Sequence, residues 1–82
     1  MYEDLASAPS RVIGVKQTVR ALERGVVTAV YVARDAEERV VRELKALAAA
    51  KGIPVNPVES MDELGKVCGI DVGAAAAAIL HE

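Results

Sequence analysis

Strand-like apolar runs that alternate with helical stripes predict an α/β chain, folded as a three-layer α/β/α sandwich around a mixed sheet of about four strands. Three observations carry that expectation. Residues 26–33, VVTAVYVA, form a near-continuous β-branched run with the composition of a strand covered on both faces. Apolar residues recur at helical spacing before it, at Val15, Val19, Leu22 and Val26, and after it, at Val40, Val41, Leu44, Leu47 and Ala48. Glycines and prolines fall where the period changes, at Pro9, Gly14, Gly25, Gly52, Pro54, Pro57 and Gly69.

Residues 2–7 have room for a short helix or ordered arm, closed by Pro9, and Arg11-Val12-Ile13 is an extended run ending at Gly14. The stripe from Val15 is a helix whose C′ residue is Gly25. Lys16, Arg20 and Arg24, four residues apart, give that helix a basic strip beside its buried face. After the central strand, Asp35 is expected to cap the next helix with Glu38 as its capping-box partner. That helix, over residues 36–51, turns Val40, Val41, Leu44, Leu47 and Ala48 inward, carries a Glu38–Arg42 pair outside and stops at Gly52. Residues 53–58 make a strand that Pro54 and Pro57 confine to a sheet edge. Strand, helix and strand in that order imply a right-handed parallel unit. Ser60 and Glu63 form a second capping box, opening a helix with Met61, Leu64 and Cys68 on its inner side and Gly69 at its end. The segment Gly69-Ile70-Asp71-Val72-Gly73 is a loop, and residues 74–80 read two ways. Propensity makes the alanines helical; small residues before Ile79 and Leu80 equally suit a strand packed tightly under helices.

The 82 residues, 52% hydrophobic and 27% charged, fit one soluble globular domain over residues 1–82. No apolar run approaches the ~20 residues of a membrane span. The opening MYEDLASAPS lacks the basic, then apolar, pattern of a signal peptide. The single Cys68 cannot form an internal disulfide, which fits a reducing cytoplasm. With two Tyr and no Phe or Trp, a surface of stacked aromatics is not expected. Net charge is −2, but its distribution is uneven. Residues 11–25 hold Arg11, Lys16, Arg20 and Arg24 against Glu23 alone, whereas acidic residues dominate from residue 52 onward. A local patch is felt over about a Debye length, ~8–10 Å, so it outweighs the total.

Catalysis finds little support. One His, His81, stands beside the C-terminus as a solvated residue, and Cys68 faces the core as a small hydrophobe. No metal set, cofactor motif or paired acid and base is present. The stretch Gly14-Val15-Lys16-Gln17 reads as an ordinary strand-to-helix turn with a solvated basic face, or as a recognition edge where unpaired N–H groups point outward. Ile70 and Val72 likewise read as loop residues tucked into the core, or as an apolar cover for a ligand.

The stretch GVKQTVRALERG, followed about 45 residues later by ESMDELGKVCGIDVGAAAAAIL, resembles the kink-turn RNA-binding ribosomal-protein family, in particular its small bacterial members of the YbxF/YlxQ type. The resemblance runs over residues 10–80. It implies an α/β/α sandwich with a strand for the alanine-rich end, and a protein without enzymatic activity or cofactor. It further implies recognition of a bent RNA whose sheared G·A pairs follow a bulge. Gly14 then allows close backbone approach, Lys16 and Gln17 meet guanine edges, and Arg20 contacts guanine or phosphate. Glu37 accepts a hydrogen bond from an extruded base, while Ile70, Asp71 and Val72 form the apolar loop over the bulged nucleotides. Many relatives carry Asn-Glu where this chain has Lys16-Gln17, which exchanges an anionic acceptor for an amide. The family setting is a cytoplasmic monomer on ribosomal or other structured RNA. Two rival readings stand beside it: a protein-interaction module on the same fold, and a small phosphate- or nucleotide-binding enzyme using the helix at Gly14.

Overall fold

The structure, a computed structural model, describes residues 3–81, so Tyr2 lies outside the described residues. Eight elements follow one another: α1 (Glu3–Ser7), β1 (Arg11–Ile13), α2 (Val15–Arg24), β2 (Val27–Ala33), α3 (Glu38–Ala50), β3 (Val55–Val58), α4 (Met61–Val67) and β4 (Ala76–Leu80). The strands form one mixed sheet in the order β1-β4-β2-β3. β4 runs antiparallel to both β1 and β2, and β2 runs parallel to β3.

Alternation along β2 divides the core in two. Val30 and Val32, with Ala76 and Ala78 of β4, pack beneath Ala21 and Leu22 of α2 and Val41, Leu44 and Ala48 of α3. Tyr31, Ala33 and Ala77 face the other way, onto Leu5 of α1, Leu64 of α4 and Cys68 just after it. Leu5, Leu22, Leu44 and Leu64 have no exposed surface, and each contributes roughly 1.5–3 kcal/mol by leaving water. Burial pushes the Cys68 thiol above its ordinary value, with the Arg11 charge opposing, so it behaves as the small hydrophobe its position suggests.

The alanine-rich end is a strand. Ala76, Ala77 and Ala78 are fully buried between β1 and β2 with helices on both faces. Ladder bonds to two neighbours, and small side chains that let both helical layers approach, override a helix preference of only a few tenths of a kcal/mol per residue. β3 takes the predicted edge position. Val30 N–H donates to Pro54 O at 2.9 Å and Arg34 N–H to Val58 O at 2.8 Å. Because alternate residues of a parallel strand bond the neighbour, Pro57 lacks its N–H on the side turned away from β2, where none is needed.

Several local expectations are corrected. Asp35 does not cap α3: its Oδ1 accepts from Met61 N–H at 2.8 Å, at the start of α4. The helix begins later than expected, with Glu37 as an N-cap whose side chain makes no capping bond. Asp35 is drawn away because the turn after β2 lies next to the turn after β3. Val40 (44% exposed) and Met61 (36% exposed) face solvent rather than the core, each lying in the first turn of a helix that overhangs the sheet end. Glu38 pairs with Lys45 at 3.2 Å instead of Arg42. The second capping box is half present, with Glu63 N–H donating to Ser60 Oγ at 3.1 Å.

Candidate functional site

Strand register brings four turns to one end of the sheet. Ile13 pairs with Ala77, Val32 with Ala76, and Ala33 with Val58. The chain therefore leaves β1 at Gly14, leaves β2 at Arg34, leaves β3 at Glu59 and enters β4 from residue 75, all at this end. Gly14 N–H donates to Ala76 O at 2.8 Å, and Ala33 N–H to Ala75 O at 2.9 Å. With strands about 4.8 Å apart, the turn at Gly14 lies ~10 Å from the turn that follows β2.

The first turn combines a special backbone with an open helix end. Gly14 has φ 109 and ψ 152, a region essentially reserved for glycine. A Cβ there would also meet Gln17 Oε1 at 2.5 Å, because the Gln17 amide folds back over the glycine. Gly14 offers no side-chain cap, and no acidic residue occupies the first turn of α2. The N–H groups and the positive end of the helix dipole are thus uncompensated from within. Lys16, Gln17 and Arg20 are all exposed. Among the described residues, none of the three has a side-chain hydrogen bond or an ion pair. The cations Arg39 and Lys45 of α3, by contrast, are engaged with Glu37 and Glu38. Arg24, in the last turn of α2, sits where a cation complements the dipole.

Glu37 stands at the N-terminus of α3, exposed, with Oε2 accepting from Arg39 Nε at 3.0 Å. An ion pair between side chains 79% and 67% exposed contributes at most about 1 kcal/mol, so Glu37 is readily released to another donor.

The loop of residues 69–73 is clamped on α4. Ile70 N–H donates to Gly65 O and Ala74 N–H to Met61 O, each at 3.0 Å. Gly65 leaves no room for a side chain, since a Cβ would collide with the carbonyl of Val72, and a Cβ on Gly73 would lie 3.2 Å from Met61 Cβ. The three loop residues then differ in role. Ile70 is half-buried and packs on the α1/α4 core, Asp71 is exposed, and Val72 is 70% exposed. The two readings of this loop divide between its two aliphatic residues: one tucks in, one stands out. Val40, Met61 and Val72, the large apolar side chains exposed among the described residues, all belong to this end of the molecule.

Sequence reasoning missed Gly65, Gly73, Asp35 and Arg11 as builders of the site. An isolated glycine inside a helical pattern, as in Glu63-Leu64-Gly65-Lys66, was the available signal of close backbone approach. Nothing local marks Arg11, whose Nη1 reaches Leu5 O at 2.9 Å and Ala6 O at 3.1 Å, and whose Nη2 reaches Cys68 O at 3.0 Å. It is a tie between helices and not surface charge.

His81 is exposed just past the opposite end of β4 from these turns, with its N–H donating to Val26 O at 2.8 Å. No helix among the described residues is long and apolar enough to cross a membrane. No group of His, Cys, Asp and Glu among them can hold a metal ion.

Comparison with known proteins gives a consistent set of likenesses. The model of the ribosomal protein L7Ae/L30e/S12e/Gadd45 family matches residues 3–82. An RNA-binding protein of Halalkalibacterium halodurans is 53% identical over 78 residues, 95% of each chain. The RNA-binding protein YbxF of Geobacillus stearothermophilus is 49% identical over 80 residues, 98% of each chain. Among solved structures, the Giardia lamblia 15.5kD RNA binding protein superposes with a TM-score of 0.86 at 26% identity, covering 98% of this chain and 68% of that one.

Proposed function

The chain belongs to the ribosomal protein L7Ae/L30e/S12e/Gadd45 family, and from that premise we propose that it binds kink-turns in structured RNA and holds them bent. It is not an enzyme; its named relatives are RNA-binding proteins. One arrangement carries the reading. An uncapped helix start with free Lys16, Gln17 and Arg20 lies at the same sheet end as a rigid loop that exposes Val72.

The two halves suit different parts of one RNA. Lys16 and Arg20 donate to guanine O6 and N7, Arg20 bidentately, and Gln17 answers a mixed base edge with both a donor and an acceptor. Gly14 keeps the backbone low enough for close approach. Val72 covers the face of a bulged base without any aromatic residue, Asp71 lies beside it, and Ile70 anchors the loop from beneath. Glu37 accepts from an extruded base by exchanging its contact with Arg39. Because the protein binds only the bent form, RNA that samples bent and extended shapes is drawn to the bent one. The protein acts as a monomer in the cytoplasm, on ribosomal or other structured RNA.

The test is a fluorescence energy-transfer titration of a kink-turn duplex beside a control in which the G·A pairs are replaced by Watson–Crick pairs. The expected outcome is tight binding with a rise in transfer for the first and weak, salt-sensitive binding without bending for the second. Equal affinity for both duplexes would overturn the reading.

A further inference from the structure

The two edges of the sheet are finished differently. At β3, Pro57 offers no N–H to the open side. β1 carries no proline. Leu80 N–H donates to Ser10 O at 3.0 Å and Gly14 N–H to Ala76 O at 2.8 Å, with Val12 paired to Ala78 between them. Alternate residues of an antiparallel strand bond the neighbour, so Arg11 and Ile13 turn both N–H and C=O outward. Among the described residues, no turn, loop or side-chain hydrogen bond reaches these four groups. The Arg11 side chain does not screen them either, being turned onto Leu5, Ala6 and Cys68. An edge left so plain is a template for pairing with another chain.

A groove of about 230 Å³ lies between β1 and α2, on the α2 side of the sheet. Val12, Ala21, Val26 and Leu80 give it apolar surface. Gln17, Arg20 and Arg24 of α2 complete its wall, and none of its lining residues is acidic. Arg20 and Arg24 are exposed and form no ion pair among the described residues. One margin of the molecule thus offers backbone donors and acceptors, an apolar seat and two unanswered cations.

We propose that an acidic polypeptide segment docks here in extended form, adding an antiparallel strand beside β1. The docked residue opposite Val12 lies on the α2 side, where an aliphatic side chain enters the groove. Carboxylates two residues to either side fall on that same face and answer Arg20 and Arg24. RNA fits the edge less well: a phosphate strand can accept from the two N–H groups, but the two outward carbonyls repel it. A second copy of this chain fits less well too, since it would set the cations of two α2 helices side by side on one face. Gln17 and Arg20 also belong to the turn read as the RNA edge, but the inference does not rest on that reading, and its test begins from protein free of RNA.

Titration of the ¹⁵N-labelled protein with the blocked peptide Thr-Glu-Thr-Val-Thr-Glu-Thr tests it. Beside it run the peptide with Lys for both Glu, and one methylated at the amide nitrogens of the two threonines that flank valine. Saturable shifts are expected at the Arg11, Val12 and Ile13 amides and at Arg20 and Arg24 Nε, with slower hydrogen exchange at the Arg11 and Ile13 amides. Affinity for the acidic peptide should exceed that for either control by about fivefold or more. Arg24→Gln should weaken it by about threefold or more at a nearly unchanged melting temperature, with Arg20→Gln replacing it if that variant melts early. Equal binding of the lysine or methylated peptide would overturn the proposal, as would indifference to the arginine variants. Two other results would also overturn it: the same amides shifting with protein concentration alone, which would put a second copy at the edge, or shifting with a Watson–Crick RNA duplex and not with the peptide.

Discussion

The Arg11 guanidinium directs its hydrogen bonds at carbonyls at the C-terminal ends of two helices, Leu5 and Ala6 in α1 and Cys68 after α4. A cation there completes bonds that the helix geometry cannot, and it complements both dipoles. Arg11→Met keeps most of the aliphatic stem and removes the donors. It should lower the free energy of unfolding by about 1–3 kcal/mol in urea titration, the usual scale for hydrogen bonds to a charged group. A loss of a few tenths would mean that water replaces the side chain without cost. Gly14 makes a different kind of contribution. Its positive φ and the Gln17 amide folded over it mean that one atom, a Cβ, disturbs both the turn and the Gln17 side chain.

At the scale of elements, the loop of residues 69–73 and α4 behave as one piece, because Gly65 and Gly73 let backbone meet backbone. The division between Ile70 and Val72 sets up a paired experiment. Val72→Asp should leave the melting temperature nearly unchanged and weaken binding to a kink-turn by about tenfold or more, since it puts a charge where a base face would lie. Ile70→Asp should cost stability, about 1–3 kcal/mol, because its side chain packs on the α1/α4 core. A stable Ile70→Asp variant that still loses RNA would instead place Ile70 on the binding surface. The strands and helices themselves were legible in the sequence, since periodicity reports burial directly: β2, the stripe of α2 and the edge position of β3 all follow from it. The exposure of Lys16, Gln17 and Arg20 was legible for the same reason, as residues left outside a known stripe. The bond from Asp35 to Met61 and the tie of Arg11 to Cys68 were not, because they join residues 26 and 57 positions apart. A local rule for Asp followed by Glu three residues on names the nearest helix, and the fold supplied a different one.

Across the whole molecule, charge is sorted by layer. Lys16, Arg20 and Arg24 of α2, with Arg42 of α3 and Lys51 after it, form no ion pair among the described residues, while acidic residues crowd the α1/α4 side, so a polyanion meets one favourable approach. A contact confined to α2 neutralises few phosphates. The logarithm of RNA affinity against the logarithm of salt should fall with a slope of about −2 to −3, as expected for three cations. A much steeper slope would mean that the phosphate-contacting surface extends well beyond α2. The sheet order carries a further consequence, in time instead of space. β4, the last strand along the chain, fills the gap between β1 and β2. During synthesis the ribosome releases the N-terminal strands first. Until residues 76–80 clear the exit tunnel, β1 has no partner and the buried faces of α2 and α4 have no complete floor. The nascent chain consequently cannot build this domain piece by piece. The turn at Gly14 and the loop of residues 69–73 are therefore expected to acquire their shape together, late in synthesis.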